Sequence, residues 1–131
     1  MLADLIAGIL RLIKKGEYEL ASRTLDKIYL DLLKQDSAIF KNIPKNNLTE
    51  DLLTDHNYTN DHLEVISELF YAQAELLFAQ GKLHDSIEYY DKSLILLKFI
   101  AGKSKTFSLE KQSKILLIQN KLDSLKNDGH L

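Results

Sequence analysis

The residues best suited to chemistry lie in the stretch DHNYTNDH, between Asp55 and His62. It contains two histidines, His56 and His62, each directly after an aspartate, and both residue types are common ligands of Zn²⁺. The histidines are six residues apart across a loop, whereas the HExxH pattern places two histidines one helical turn apart. We therefore interpret them as polar residues of a loop and a helix start, and we expect no bound metal and no cofactor.

The remaining sequence shows no catalytic pattern. It contains no cysteine, which excludes a thiol nucleophile, a thiolate metal site and a disulfide. It also lacks a glycine-rich phosphate loop and a GxSxG motif, and spacing singles out no pair of carboxylates. We therefore predict that the protein is not an enzyme, so its function must depend on a surface that the fold creates.

Composition is that of an ordinary globular domain. The chain has 131 residues, of which 45% are hydrophobic and 27% are charged. The N-terminal stretch MLADLIAGILRLIKK is apolar but is interrupted by Asp4 and Arg11. It has no basic region before its apolar residues and is too short to span a bilayer. We interpret it as a core helix, and we predict a cytoplasmic protein that does not bind a membrane.

Charge is unevenly distributed, although the net charge is only −2. Residues 50–91 contain ten acidic residues and one basic residue, whereas residues 98–126 contain seven lysines and two acidic residues. These segments could be solvated faces of adjacent helices, could pair head to tail between chains, or could include an acidic groove for a basic peptide. Because the lysines are not interleaved with aromatic residues, we expect no nucleic-acid partner.

Apolar residues recur at intervals of three and four along most of the chain, which predicts an all-α protein. Gly16 and Gly81 are expected to end the first and third long helices, since glycine readily adopts the left-handed conformation that terminates a helix. Gly102 is expected to end the fourth helix, and Pro44 interrupts an irregular middle segment. The second and fourth long helices are expected to begin at Tyr18 and Leu83. The third should begin with a capping box of Asp61 and Glu64, and the last should be capped by Ser108 or Thr106. Short helical turns are expected at residues 37–41 and 49–56, the second capped by Thr49.

The segments after Gly16 and Gly81 share one pattern. Counted from each glycine, a large residue follows at +2, a small one at +5 and a large one at +9. A small residue at +5 allows the two helix backbones to approach closely, while the large residues fill the space beside it. The pattern therefore predicts two tight antiparallel hairpins, built on Tyr18, Ala21 and Leu25 in the first and on Leu83, Ser86 and Tyr90 in the second.

This arrangement resembles the tetratricopeptide repeat (TPR), a 34-residue helix–turn–helix unit. In residues 67–100 the positions where the family has Gly, Tyr, Ala, an aromatic residue and Ala are occupied by Gly81, Leu83, Ser86, Tyr90 and Ser93. The two glycines are 65 residues apart, which is neither one nor two repeat lengths, so an insertion separates the repeats. The resemblance implies a short TPR-like right-handed superhelix of the kind found in small bacterial repeat proteins. Its parts would be a hairpin at residues 2–34, an irregular insertion at 35–60, a second hairpin at 61–101 and a C-terminal capping helix at 106–126.

The resemblance also implies a function. TPR proteins bind peptides on a concave face made mainly from the first helix of each repeat, so the chain would be a non-enzymatic adaptor or scaffold. On the second hairpin the family's face positions give an acidic and aromatic surface of Glu68, Tyr71, Glu75 and Phe78. The partner would be a protein or peptide with basic and apolar side chains, unless Tyr71 and Phe78 pack against the insertion or a second subunit.

The sequence is also compatible with two alternative functions. The corresponding face of the first hairpin is apolar and includes Ile6, Leu10 and Ile13, so it should be covered either by residues 36–59 or by a second subunit. A second subunit would make the chain a homo-oligomeric structural protein that dimerises through its N-terminal helix. Chaperoning of a secreted substrate is the other alternative.

Overall fold

The structure, a computed structural model, describes residues 2–104 and 108–128. Over these residues the chain forms helices and loops but no strand, which confirms the prediction of an all-α fold. None of the helices in these two segments is long and apolar enough to cross a membrane. The elements are α1 (Leu2–Lys14), α2 (Tyr18–Leu33), α3 (Ser37–Lys41), α4 (Leu48–Glu50) with a π-helical turn (Asp51–Asp55), α5 (Asn60–Ala79), α6 (Leu83–Lys103) and α7 (Leu109–Asp128).

Both hairpins reverse direction at a glycine with left-handed backbone. The φ angles of Gly16 and Gly81 are 80° and 79°. At the end of α1 the Gly16 N–H donates to Ile13 O at 3.0 Å and the Glu17 N–H donates to Leu12 O at 2.9 Å. At the end of α5 the N–H groups of Gly81 and Lys82 donate to Phe78 O and Leu77 O at the same two distances. Each pair of bonds is a Schellman motif, which satisfies carbonyl groups that the end of a helix leaves free. The two predicted glycine turns are therefore confirmed.

The helices of each hairpin pack through the residues at +5 and +9. Ala21 and Leu25 on α2 and Ser86 and Tyr90 on α6 are all completely buried. The Ser86 hydroxyl also donates to the carbonyl oxygen of Ala74 on the facing helix, at 3.1 Å. This bond requires the two backbones to lie close together, so the predicted role of the small residue at +5 is confirmed.

The residues at +2 differ from the prediction. Leu83 is 46% exposed and Tyr18 is half-buried, so a large residue at +2 does not fill the interface in both hairpins. Each is the first residue of its helix. It therefore lies beside the turn, where the preceding helix has already ended and offers little surface for packing.

Two further serines hold α5 and α6 together. The Ser67 hydroxyl donates to Ser93 O at 3.1 Å, and the Ser93 hydroxyl donates to Ser67 O at 2.8 Å. Both residues are buried, so the reciprocal bonds satisfy two hydroxyl groups inside an apolar core. Close packing of α5 on α6 thus continues well away from the turn.

The central helix of the fold is α5. It packs against α6 in its own hairpin and against both α1 and α2, while α7 packs on α6. Ten residues of α5 are buried, which leaves it little free surface. The larger apolar cluster joins α5 to the first hairpin, and a smaller one around Tyr71, Tyr90, Ile118 and Leu122 joins α5 and α6 to α7.

The segment between the hairpins packs mainly on α2 and α6. Its helix α3 contacts α2, and α4 contacts α6. Lys45 forms ion pairs with Glu88 at 3.2 Å and Asp91 at 3.1 Å, and Tyr58 Oη donates to Leu33 O at 3.1 Å. Ile6 and Ile9 on the apolar side of α1 are instead buried where α1 packs on α2 and α5, because the second hairpin stacks directly on the first. The expectation that residues 36–59 cover α1 is therefore wrong.

The start of α5 differs from the prediction. Its N-cap is Thr59, and His62 completes the capping box in place of the expected Asp61 and Glu64. The Thr59 N–H donates to His62 Nδ1 at 3.0 Å, so the imidazole performs the task that Glu or Gln performs in the usual sequence signature. A histidine considered as a metal ligand thus has a structural role at a helix start.

Other helix ends also differ from the sequence-based expectation. Gly102 lies inside α6, which continues to Lys103, since a single glycine costs a helix only about 1 kcal/mol. Thr49 lies inside α4, whose N-cap is Asn47. Of the two caps expected for α7, Ser108 accepts a hydrogen bond from the Lys111 N–H at 3.2 Å, and Thr106 is outside the described residues.

Substituting alanine for Gly16 or Gly81 should lower the free energy of unfolding by about 1–2 kcal/mol, because a β-carbon disfavours the left-handed conformation. An added β-carbon would meet no atom within 4 Å at either position, so the loss reports backbone strain alone. Urea denaturation measures it. Gly102→Ala is the matched control: it lies in a helix with equally open surroundings and should stabilise the protein by about 0.5–1 kcal/mol. Equal effects at all three glycines would contradict the turn assignment.

A larger residue at +5 should push apart the two helices of the second hairpin, α5 and α6. Ser86→Leu places a large side chain where two backbones meet, and we expect a loss of about 1–3 kcal/mol in unfolding free energy. Ser86→Ala removes only the bond to the Ala74 carbonyl and should cost about 0.5–1.5 kcal/mol. Thermal and urea unfolding of the two variants distinguish size from hydrogen bonding; a leucine as well tolerated as the alanine would be inconsistent with close approach at this position.

Candidate functional site

The acidic residues predicted to bind a partner lie beside α7. Glu68 forms an ion pair with Lys114 at 3.4 Å, and one turn earlier Glu64 pairs with Lys111, also at 3.4 Å. The lysine-rich C-terminal helix therefore lies next to acidic residues of α5, and part of the uneven charge is compensated within the chain. Each pair is partly exposed to solvent, so it contributes at most about 1 kcal/mol.

Lysines of α7 also cover the two predicted aromatic residues. Lys114 Nζ is 3.6 Å from the centroid of the Tyr71 ring, and Lys121 Nζ is 3.8 Å from that of the Phe78 ring. Tyr71 is only 8% exposed and packs in the apolar cluster with α7, whereas Phe78 is half-buried at its edge. Because α7 occupies this face, a partner reaches the Tyr71 ring only if α7 moves.

Glu75, the fourth predicted residue, is half-buried near two tyrosines. Burial raises the pKa of both Tyr71 and Tyr90 well above the usual value, and the adjacent Glu75 carboxylate raises the pKa further because it would repel a tyrosinate. The Tyr90 hydroxyl is buried close to Glu75, yet within the described part of the chain no atom accepts or donates a hydrogen bond to it with good geometry. Glu75 therefore faces its own core at least as much as solvent.

The residues predicted for self-association are largely used within the chain. Ile6 is 5% exposed in the larger apolar cluster, and Leu10 and Ile13 are half-buried against it. The large hydrophobic residue of α1 that is exposed is Leu5, at 37%. Leucines with a larger exposed fraction lie on α7, where Leu116 is 62% exposed.

An open groove lies between α1 and α7, with α5 as its floor. Its volume is about 390 Å³, within the range of sites that hold a small ligand or a few side chains. It is lined by Leu2, Ala3, Ile6, Ala7 and Leu10 of α1, by Glu64 and Glu68 of α5, by Leu97 of α6, and by Glu110, Lys111 and Lys114 of α7. Of the predicted residues, the groove therefore brings together Glu68, Ile6 and Leu10, and it leaves out Tyr71, Glu75, Phe78 and Ile13.

The two walls of the groove differ in chemistry. The α1 wall is apolar, and Ala3 and Ala7 lie one helical turn apart on it, so it can accept the side chains of another helix at close range. The α7 wall carries the ammonium groups of Lys111 and Lys114 beside the carboxylates of Glu64 and Glu68. A surface that is apolar on one side and charged on the other suits an amphipathic segment.

Sequence patterns missed most of this groove because it depends on where α7 lies. The apolar period of α7 predicts a stripe of Ile115, Ile118, Leu122 and Leu125; the last three are buried, and Ile115 is half-buried. That period does not identify the helix that the lysines face. The complementary charges of residues 50–91 and 98–126 were the available signal, since Glu64 with Lys111 and Glu68 with Lys114 join these two segments.

The histidines and acidic residues do not form a metal site in the part of the chain that the structure describes. Over residues 2–104 and 108–128, no three side chains of His, Asp or Glu lie close enough together to hold a metal ion. His56 and His62 instead both contact the Tyr58 ring, with ring centroids 6.3 and 5.1 Å from its centroid. Their aromatic contacts support the start of α5.

Comparison of the chain with protein-family models, with curated proteins and with solved structures found no match. The functional argument therefore depends on the groove and on the residues that line it.

Replacing Tyr71 by alanine should destabilise the protein by about 3 kcal/mol or more, as expected for deleting a buried aromatic ring. Tyr71→Phe keeps the ring under Lys114 and should cost less than about 1.5 kcal/mol. Phe78→Ala removes a half-buried ring and should cost about 1–2 kcal/mol. Urea unfolding gives the three values, and a Tyr71→Ala variant as stable as the parent would mean that this ring faces solvent.

Proposed function

We propose that the protein is a non-enzymatic interaction module of TPR-like architecture, which binds an amphipathic helical segment of a partner protein in the groove between α1 and α7. The observation that carries this proposal is the groove itself, with its apolar α1 wall and its charged α7 wall. Repeat-like stacking of the hairpins supplies the scaffold, and α7 closes one side of the site.

Repeat-like stacking is supported by two features of the hairpins. Both turn at a left-handed glycine with the same pair of backbone bonds, and both pack through a small residue at +5. The first helix of the first hairpin, α1, lies against the first helix of the second, α5, and α2 also lies against α5. This is the order of contacts expected when adjacent helix–turn–helix units stack.

The composition of the groove supports binding rather than catalysis. Its lining consists of aliphatic residues, three glutamates and two lysines. Among the described residues that line it there is no Ser, Thr or His, so the groove offers no nucleophile paired with a base. The apolar wall can bury the non-polar face of a helix, and the charges at the rim can orient it.

The preferred partner differs from the basic peptide that the sequence pattern suggested. Lys111 and Lys114 already neutralise Glu64 and Glu68, so a basic segment gains little attraction here. A segment with apolar residues at helical spacing and charges of both signs on its flanks fits better. Dimerisation through α1 has less support, because Ile6 is already buried in its own chain, and no feature of the groove favours a secreted substrate.

Obstructing the apolar wall tests the proposal. Ala3 is exposed and lines the groove, so Ala3→Arg should leave the fold intact and weaken partner binding by about tenfold or more, equivalent to about 1.4 kcal/mol. Ala38→Arg adds the same charge at an exposed position on α3 and should leave affinity unchanged. A photo-crosslinking residue at position 3 identifies the partner from cell extract, and titration calorimetry with that purified partner then measures both variants.

Two outcomes of this experiment would contradict the proposal. One is a partner bound equally well by the Ala3→Arg variant and the parent. The other is crosslinking at position 3 only to a second copy of the chain, together with a dimer in light scattering that Ala3→Arg dissociates. The second result would favour the homo-oligomeric alternative.

A further inference from the structure

A second pocket lies on the side of α5 away from the groove, between α3, α5 and α6. Its volume is about 370 Å³, and it is lined by Lys41, Gln73, Leu77, Asp85, Glu88, Tyr89 and Lys92. Gln73 and Leu77 each follow a groove residue, Glu64 and Glu68, by nine positions. Nine residues correspond to two and a half helical turns, so the two sites lie on opposite faces of α5.

The pocket contains a buried lysine without a counter-ion in contact. Lys92 is 6% exposed, although it carries an ammonium group. Its Nζ lies 5.3 Å from the centroid of the Tyr89 ring and 5.9 Å from that of Phe70, but across the described residues it forms no hydrogen bond and no ion pair. Burial lowers the pKa of Lys92, and the nearby Glu88 carboxylate opposes part of this shift.

The two acidic residues of α6 closest to Lys92 in sequence are paired with another lysine. Glu88 lies one turn before Lys92 on α6, but its carboxylate pairs with Lys45 at 3.2 Å. Lys45 also pairs with Asp91, at 3.1 Å. Isolated buried lysines are rare because desolvation of an ammonium group is costly. A lysine kept in this position, at the wall of an open pocket, indicates a site whose anion comes from outside the chain.

A second buried polar group lines the same pocket. Gln73 is 7% exposed on α5, and its side chain makes no hydrogen bond with any other residue that the structure describes. Its amide can donate to one oxygen of an anion while Lys92 donates to the other. Tyr89 and Leu77 contribute an aromatic ring and an aliphatic side chain to the remaining wall.

We propose that this pocket binds a small carboxylate with an apolar body, whose carboxylate contacts Lys92 and Gln73 and whose apolar part packs on Tyr89 and Leu77. A single negative charge matches the single unpaired buried cation. Asp85 and Glu88 also line the pocket and would repel a doubly charged phosphate, so a monocarboxylate fits better. The carboxylate could belong to a free small molecule or to the C-terminal residue of a peptide.

Phenylacetate represents a free small carboxylate, and N-acetylphenylalanine represents the C-terminal residue of a peptide. Binding of each probe to the full chain is measured by titration calorimetry and by NMR. We expect saturable binding of at least one probe, and the probe preferred identifies the source. Phenylacetamide has the same ring but no charge, and it should bind about tenfold more weakly than phenylacetate, as expected for loss of a charge-assisted hydrogen bond.

Variants at two lysines of α6 provide the decisive comparison. Lys92→Met keeps the length of the side chain and removes its charge, so it should weaken binding of the carboxylate by about tenfold or more. Lys98→Met removes the same charge from an exposed position on the same helix and should leave binding unchanged. The melting temperature of Lys92→Met should equal or exceed that of the parent, because a buried unpaired charge is removed.

NMR of the unmodified chain gives a readout that does not depend on any variant. Binding should shift the side-chain amide resonances of Gln73 and the ring resonances of Tyr89, while Ala3 and Ala7 in the groove between α1 and α7 should not respond. Absence of saturable binding by both probes, shifts confined to residues outside the pocket, or equal affinity for Lys92→Met and the parent would each overturn the proposal. None of these results bears on partner binding in the groove.

Discussion

The fold depends on two backbone reversals at glycines with positive φ. At Gly16 and Gly81 the chain leaves a helix in the left-handed conformation and begins the next helix two residues later. A turn this short forces the two helices to pack against each other immediately, so the residue at +5 must be small. Ala21 and Ser86 meet that requirement. The other helices pack on the two hairpins that result: α3 on α2, and α4 and α7 on α6.

Stacking of these hairpins places α5 at the centre of the molecule. Three helices pack on it, and lysines of a fourth, α7, reach its remaining side. A helix surrounded in this way can contribute to sites on opposite faces. Glu64 and Glu68 form the floor of the groove between α1 and α7, whereas Gln73 and Leu77 line the pocket that contains Lys92. The two proposed sites are therefore separated by the most buried helix of the protein.

The role of α7 changes the interpretation of the acidic and aromatic surface on α5. Taken alone, Glu68, Tyr71 and Phe78 form an attractive face for a basic peptide. Lys114 and Lys121 of the same chain occupy the positions that such a peptide would take, over the rings of Tyr71 and Phe78. Residues of α7 thus cover this surface of α5, and the apolar wall of α1 is the surface that remains open. A C-terminal helix expected only to cap the stack instead forms one wall of the candidate site.

The sequence by itself determined the features that depend on local geometry: the all-α class, the two glycine turns, the small residues at +5 and the buried stripe of α7. Each follows from backbone preference or helical period, which act over a few residues. Only the tertiary structure decided which helix the lysines of α7 face, that residues 36–59 pack on α2 and α6, and that Lys92 is buried without an ion pair. These depend on contacts between residues far apart in the chain, and helical period specifies a buried face without specifying its neighbour. Local rules also failed where two solutions cost nearly the same, as at Gly102, which continues a helix, and at His62, which replaces a carboxylate in a capping box.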